Sequence, residues 1–453
     1  MDLTNKRVLV VGLGKSGVAS ALFLKAHGAT VTVTDAKTQA QLQQEIPLLL
    51  DHGIVVETGG HGERTFREKD LIVVSPGVPV DAPPLVQARA TGEPVIGEIE
   101  LAARFFPGPI VAITGSNGKT TTTTLAGEIV AAAGRPTVVG GNIGTPAISL
   151  VEGTTSETTM VLEISSFQLE TIESFHPKVA VVLNVTPDHL DRHGTFRAYV
   201  DAKARIFENQ QPTDFAVLNA DDSTCTELSP NVKSQVFWFS RKKELAQGAF
   251  VRDGNIYFLS SGGLEDVMPV SEIPLKGGHN VENVLAAVAV GRLLGTTAAK
   301  IRQTVQNFRA VEHRIEYIAT IKGVEYYNDS KATNVDATIK ALESFPANIH
   351  VILGGKDKGS DYTVLHSLLR ERVKHVYTIG AAAEKIESQI KGTADIVRAG
   401  TLESAVNLAA TNAVAGDIVL LAPACASFDQ FDNYQHRGRV FKEAVAKLGD
   451  RTP

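Results

Sequence analysis

The stretch Ile110 to Leu125, IVAITGSNGKTTTTTL, constrains this chain more than any other. An apolar run, Ile110-Val111-Ala112-Ile113, breaks at Gly115-Ser116-Asn117-Gly118 and continues as a helix-forming segment at Lys119. A strand that turns through glycines into a helix makes a phosphate cradle. Glycine lets backbone N–H groups approach an anion closely, and the helix adds its positive N-terminal end. Lys119 is placed to neutralise phosphate oxygens, and the Thr120 hydroxyl to ligate Mg²⁺. The usual pattern has a glycine six residues before the lysine; this chain has Ile113 there, so the loop is a shortened variant. A plain glycine turn between a core strand and a helix is the bland alternative. Lys-Thr at the helix mouth, with Thr121 to Thr124 behind it, favours nucleotide binding. The expected ATP-phosphate group is Gly115, Ser116, Asn117, Gly118, Lys119, Thr120 and Thr121.

Two further α/β units flank this one. In the first, Arg7–Val11 leads into Gly12-Leu13-Gly14-Lys15-Ser16-Gly17, and a strand from Thr30 ends at Asp35. This is G-x-G-x-x-G with an acidic residue 18 positions after its last glycine, close to the dinucleotide-binding spacing. Taken alone it supports an NAD-dependent oxidoreductase, yet the same turn serves any ligand with a diphosphate or ribose. Expected strands at 54–56, 71–74 and 94–96, with a turn at Ser75-Pro76-Gly77, complete a parallel unit over residues 1–98.

A helix over Glu98–Phe106 leads into the central unit, 99–309. There the strand Thr159–Ile164 carries Glu163, and the strand Val179–Val185 runs on to Asp188-His189. The C-terminal ends of strands form the binding rim of open α/β sheets, so both residues are expected to face the phosphate loop. A helix over Tyr199–Asn209 holds Lys203, Asp253-Gly254 makes a tight turn, and Gly278-His279-Asn280 caps a helix over Val281–Leu294. The third unit, 310–453, has expected strands at 317–321, 324–327, 350–353, 375–379, 395–397 and 418–421. Its two densely polar loops are Asn328–Asn334 and Pro423–Phe431.

Composition removes several function classes. The formal net charge of −6, without a basic block, argues against nucleic-acid binding. Two cysteines cannot build a disulfide framework, and no apolar run approaches a bilayer span. The N-terminus runs straight into a strand and a glycine turn, unlike a signal peptide. A cytoplasmic, monomeric protein acting on small molecules is expected.

Taken together, TGSNGKTT, GGNIG, LEISSFQLE, NVTPDHLDRH, DAKARIFEN, GGHNVENVLAA, EHRIEY, NDSKATN, LGGKDKG and PACASFDQFDNYQHRG resemble the Mur ligases, along essentially the whole chain. The phosphate loop alone would also fit folylpolyglutamate-type ligases. NDSKATN and PACASFDQF are more specific, and the absence of the Asp-Asn-Pro-Arg motif of the diaminopimelate-adding relatives favours the D-glutamate-adding branch. The resemblance implies an α/β protein of three domains: a Rossmann-like UDP-binding domain, a central P-loop ATPase-like domain and a C-terminal Rossmann-like domain. It implies ATP-dependent addition of D-glutamate to UDP-N-acetylmuramoyl-L-alanine through an acyl phosphate.

The resemblance also assigns residues. Lys119, Glu163, His189 and Lys203 are the catalytic group, and two Mg²⁺ ions fall to Thr120, Glu163, His189 and Lys203. ATP adds Asn280, Arg314, Asp329 and Lys331. The UDP-linked substrate takes Gly14, Lys15, Ser16, Asp35, Ala36, Ser75, Pro76, Gly77, Asn142, Ser165 and His189. D-Glutamate takes Thr333, Lys358, Ser427, Phe428 and Tyr434, with Lys356 able to exchange roles with Lys358. Lys203 resembles a lysine carbamylated by CO₂, which would turn a cation into an oxygen ligand suited to Mg²⁺. Read without the family, Glu163 is a solvated strand-end carboxylate, Asn142 a turn former, and Arg314, Asp329 and Lys331 a surface ion-pair cluster. His189 and His193 alone would suggest zinc, but no cysteine or further ligand motif supports it.

Overall fold

The computed structural model describes residues 1–62, 64–309 and 312–449. The boundary expected at 309/310 abuts Ala310 and Val311, which lie outside the described residues, as does the C-terminal end expected at 453. Three sheets account for the strands, as the α/β reading expects.

The first sheet contains β1 (Arg7–Val11), β2 (Thr30–Asp35), β3 (Val55–Thr58), β4 (Leu71–Val74) and β5 (Val95–Gly97). All neighbours are parallel, in the order β3-β2-β1-β4-β5. The order reverses between β1 and β4, and such a switch point opens a crevice at the strands' C-terminal ends. Both faces are covered by helices, so the central strands are apolar throughout: Val8 to Val11 and Leu71 to Val74 are buried.

The second sheet contains β6 (Ile110–Thr114), β7 (Thr137–Gly141), β8 (Thr159–Glu163), β9 (Val179–Val182), β10 (Phe215–Asn219), β11 (Gln235–Ser240), β12 (Gly248–Arg252), β13 (Asn255–Ser260) and β14 (Gly263–Pro269). Its order is β14-β13-β12-β11-β10-β9-β6-β8-β7, parallel throughout except that β13 runs antiparallel to both of its neighbours, β12 and β14. Asp253 and Gly254, both at positive φ, form the two-residue turn between β12 and β13. The third sheet contains β15 (Glu316–Ile321), β16 (Val324–Asn328), β17 (Ile349–Gly354), β18 (Val373–Ile379), β19 (Asp395–Gly400) and β20 (Ile418–Leu421). Its order is β15-β16-β20-β17-β18-β19, with only β15 antiparallel.

By packing, the chain divides into two compact units. One comprises Met1–Val185, Arg197–Pro269 and Val284–Val305, and so holds the first two sheets. The other comprises Thr186–Phe196, Val270–Asn283 and the chain from Gln306, around the third sheet. Among the described residues no helix is long and apolar enough to cross a membrane.

The helix Glu98–Phe105 explains why the first two sheets pack as one body. The Glu98 carboxylate accepts from Ile148 N at 2.8 Å. Glu100, fully buried, accepts from the backbone N–H groups of Glu173, Ser174 and Phe175 and from Arg104. Burial would raise the Glu100 carboxyl, but these donors hold it below its ordinary value.

Candidate active site

The phosphate loop follows β6 and enters the helix Lys119–Ala132 through Gly118, whose φ of +84° is a conformation glycine adopts without cost. A Cβ on Gly115 would press on Leu183 Cβ at 3.0 Å. The strand expected to reach Val185 ends at Val182, because the residues after it bond the loop. Asn184 O accepts from Ser116 N (2.9 Å), and Asn184 Oδ1 accepts from Asn117 N (2.8 Å). Asn184 Nδ2 also donates to Asn117 O at 3.2 Å. These bonds brace the loop against the strand end that follows β9.

Two cations converge on one carbonyl of this loop. Lys119 Nζ donates to Gly115 O (2.8 Å) and to Ser116 O (2.9 Å). Lys203 Nζ donates to the same Gly115 O at 2.9 Å, lies near Thr114 Oγ1 at 3.4 Å and sits 4.6 Å over the Tyr199 ring. Lys203 is only 1% exposed. The helix expected over Tyr199–Asn209 is α-helical over Phe196–Ala204 and tightens to a 3-10 turn at Arg205–Phe207. The Tyr199 hydroxyl is 3.1 Å from Ser116 Oγ.

Oxygen donors gather beside these cations. Thr120 Oγ1 donates to Glu163 Oε2 at 2.7 Å, and Asn142 Nδ2 donates to Glu163 Oε1 at 2.9 Å. Glu163 ends β8 and is 3% exposed, so the solvated strand-end reading does not hold. A hydroxyl and a carboxylate in contact at the mouth of a phosphate helix are the hard oxygen set Mg²⁺ takes. The residues present fit that ion. Thr121, by contrast, is buried with no partner for its hydroxyl. Ser165 is occupied in a capping box, accepting from Gln168 N while its own N–H donates to Gln168 Oε1.

In the first sheet the switch-point crevice lies between Gly12 and Ser75. Ser75 Oγ donates to Gly12 O at 2.8 Å, and a Cβ on Gly17 would collide with that carbonyl. Asp35 is 9% exposed, and its two oxygens accept from Leu13 N (2.6 Å) and Lys37 N (2.8 Å). The acidic residue of the fingerprint therefore shapes the glycine turn itself. Gly14, Lys15, Ala36 and Gly77 are exposed at this rim, with Ser16 and Pro76 partly so.

The second unit holds the remaining expected residues. Its polar loops leave the C-terminal ends of three adjacent strands, β16, β20 and β17, which gathers Thr333, Ser427 and Lys358 at one rim. Lys356 and Ala426 exchange backbone hydrogen bonds of 2.8 and 3.1 Å, tying two of these loops together, and the Lys356 side chain is exposed. Lys358 Nζ lies 3.1 Å from Asp188 Oδ1, while Asn334 Nδ2 donates to Asp188 Oδ2 at 3.0 Å. Burial would raise the Asp188 carboxyl, but Lys358, His189 and Asn334 hold it below its ordinary value. His189, at φ +54°, has Nε2 3.7 Å from Asp188 Oδ2.

Asn280 and Arg314 line one cleft of about 240 Å³, with Lys276, Tyr317 and Tyr327. Asn280 is not a cap, as the helix begins at Gly278; its Nδ2 reaches back to Lys276 O at 2.7 Å. Asp329 is 3% exposed, and burial pushes its carboxyl up to about 6 against the charge of Arg314. This burial removes the reading of a surface ion-pair cluster. Lys331 Nζ sits 5.5 Å over the Tyr434 ring, and Phe428 is exposed.

Sequence reasoning missed Asn184, Tyr199, Asp188, Asn334 and Arg437. Tyr199 had a signal, lying four residues before Lys203 on one helix face. Arg437 is fully buried and donates to Ser330 O (2.7 Å), Ser330 Oγ (2.9 Å) and Cys425 O (3.1 Å), joining two of the rim loops.

Three family descriptions match this chain: "Mur ligase MurD-like, N-terminal domain" over residues 6–97, "Mur ligase middle domain" over 113–291, and "Mur ligase, glutamate ligase domain" over 313–425. The chain is 66% identical over 451 residues to the UDP-N-acetylmuramoylalanine--D-glutamate ligase of Koribacter versatilis, covering 100% of this chain and 99% of that one. It is 59% identical to the protein of the same name from Acidobacterium capsulatum, over 98% of this chain and 97% of the relative. Among solved structures it is similar to the MurF ligase from Thermotoga maritima in complex with ADP, with a TM-score of 0.63, 19% identity and 99% of both chains covered. The UDP-N-acetylmuramate-alanine ligase MurC of the same organism matches with a TM-score of 0.60 and 20% identity, over 98% of this chain and 100% of that one. At these identities the structures show a shared fold.

Proposed function

The chain belongs to the Mur ligase family, and from that membership we propose that it joins D-glutamate to UDP-N-acetylmuramoyl-L-alanine, cleaving ATP to ADP and phosphate. The observation that carries this reading is Lys119 Nζ on Gly115 O and Ser116 O at the mouth of the phosphate helix, beside the Thr120–Glu163 oxygen pair. A cation at a helix N-terminus next to a hard oxygen pair is a seat for a triphosphate and its Mg²⁺.

An amide does not form from a carboxylate and an amine in water without activation. The substrate carboxylate attacks the γ-phosphorus of ATP, the bond to the β-phosphate oxygen breaks, and ADP leaves. The amine of D-glutamate then attacks the acyl carbon, and phosphate departs with the acyl oxygen. Lys119 and the loop N–H groups orient the phosphates and offset the charge of two approaching anions. Thr120 and Glu163 would hold a Mg²⁺, which adds positive charge to the phosphoryl oxygens. A second ion, with a carbamylated Lys203 as a ligand, is part of the same proposal, as is the assignment of His189 to the metal-binding residues. Lys358, with the hydroxyls of Thr333 and Ser427, forms a donor set suited to the γ-carboxylate of D-glutamate. Asn280 and Arg314 serve the nucleoside side of ATP. The reading places the enzyme in the cytoplasm as a monomer, working on peptidoglycan precursors.

Phosphate release tests it. With ATP, Mg²⁺ and UDP-N-acetylmuramoyl-L-alanine, release is expected to depend on D-glutamate, with ADP and phosphate in equal amounts. Recovery of AMP and diphosphate would overturn the acyl-phosphate route. Turnover with another amino acid but not D-glutamate would move the chain to another branch of the family.

A further inference from the structure

We propose that Glu98, in the helix joining the first two sheets, is a positioning residue for the loop that presents Asn142 to the UDP-linked substrate. This rests on the ligase reading above, in which Asn142 meets the substrate diphosphate. Glu98 immediately follows β5 and is 1% exposed. Its Oε1 accepts from Ile148 N at 2.8 Å. That N–H lies in the first turn of a 3-10 segment, Ala147–Leu150, whose own N-cap residue, Pro146, makes no side-chain hydrogen bond to it. Glu98 thus caps that turn from 50 residues away in sequence.

The loop between β7 and this turn is Asn142–Pro146, and it is pinned at both ends. Upstream, Asn142 N donates to Glu163 O (2.8 Å), and Gly141 N closes the loop on Thr145 O (2.9 Å). A Cβ on Gly140 or Gly141 would run into Thr145 O or Glu163 O, so the backbone there sits in one arrangement. Downstream the anchor is Glu98. Without it the start of the turn loses its acceptor, and the Asn142 end of the loop is held from one side only. Glu98 Oε2 is buried with no partner, so the contact to the turn is made through Oε1, an acceptor that an isosteric amide keeps. The helix itself stays docked without Glu98, since Glu100 bonds three backbone N–H groups of the central sheet's unit.

The test is steady-state phosphate release with Glu98→Ala, Glu98→Asp and Glu98→Gln. Ala, or Asp should Ala fail to fold, is expected to raise the KM for the UDP-linked substrate about tenfold while leaving the KM for ATP within about twofold. Gln keeps the Oε1 acceptor and is expected to restore the wild-type value. In an Asn142→Ala background the Glu98→Ala effect is expected to vanish, because both changes act through one loop. Additive effects, or equal rises in both KM values, would overturn the proposal. Wild-type protein without substrate-dependent phosphate release would instead overturn the ligase reading, which keeps the two failures apart.

Discussion

Lys119 and Lys203 donate to one carbonyl oxygen at 2.8 and 2.9 Å, and Lys203 is almost fully buried. Lys119, at the N-terminal end of its helix, is the cation for the triphosphate. On the proposed reading Lys203 carries a carbamate, which exchanges a cation for an anionic oxygen ligand of the kind Mg²⁺ prefers. On this proposal Lys203→Ala is expected to lose activity by about a hundredfold or more while still binding ATP in an equilibrium titration. Small carboxylates at high concentration are expected to restore part of the turnover. Lys203→Arg is not expected to substitute, since a guanidinium stays charged and cannot carry CO₂. Full activity of the arginine variant would reduce Lys203 to a packing cation above Tyr199.

The helix Glu98–Phe105 carries a titration of its own. Burial pushes the Glu98 carboxyl up to about 7, against the pull of the Ile148 and Ala147 N–H groups. A carboxyl raised on folding contributes stability that is complete below the unfolded value and is lost as pH rises through the folded one. Glu98→Gln removes that loss. Its melting temperature relative to wild type is expected to rise by about 2 °C between pH 5.5 and 8.5; a pH-independent difference would show that the carboxyl does not titrate in this range. Elements of this kind mark the limit of what the sequence made legible. The strand, glycine loop and helix around Lys119 were readable because hydrophobic run, turn residues and helix start are adjacent in the chain. So were the six strands of the third sheet and the Asp253-Gly254 turn. Local signals said nothing of Glu98 capping Ile148, of Asn184 shortening β9, or of Asn334 and Lys358 meeting at Asp188. Those pairings join residues far apart in sequence, and a carboxylate or amide that serves them looks the same as a solvated one. Asp35 is a further case: its oxygens accept from the Leu13 and Lys37 amides, a part in shaping the glycine turn that the spacing of the fingerprint did not indicate.

Over the whole molecule, the groups assigned to phosphoryl transfer and those assigned to the amino acid belong to different packing units. Lys119, Thr120, Glu163 and Lys203 lie in the unit of the first two sheets; Thr333, Lys358 and Ser427 lie in the unit of the third. Acyl-phosphate formation needs only ATP and the UDP-linked carboxylate, so it is expected to be separable from amide formation by mutation. In Lys358→Ala, loss of a charged hydrogen-bond donor is expected to raise the KM for D-glutamate roughly tenfold to a hundredfold. Exchange of labelled ADP into ATP, driven by the UDP-linked substrate alone, is expected to continue near the wild-type rate in that variant. Lys119→Ala is expected to abolish the exchange together with the complete reaction. Lys358→Arg keeps the charge and is expected to retain part of the D-glutamate affinity, while Lys356→Ala is expected to have little effect, its side chain being exposed. Should Lys358→Ala silence the exchange as fully as Lys119→Ala does, the γ-carboxylate role would be wrong, and Lys358 would belong to the phosphoryl-transfer step.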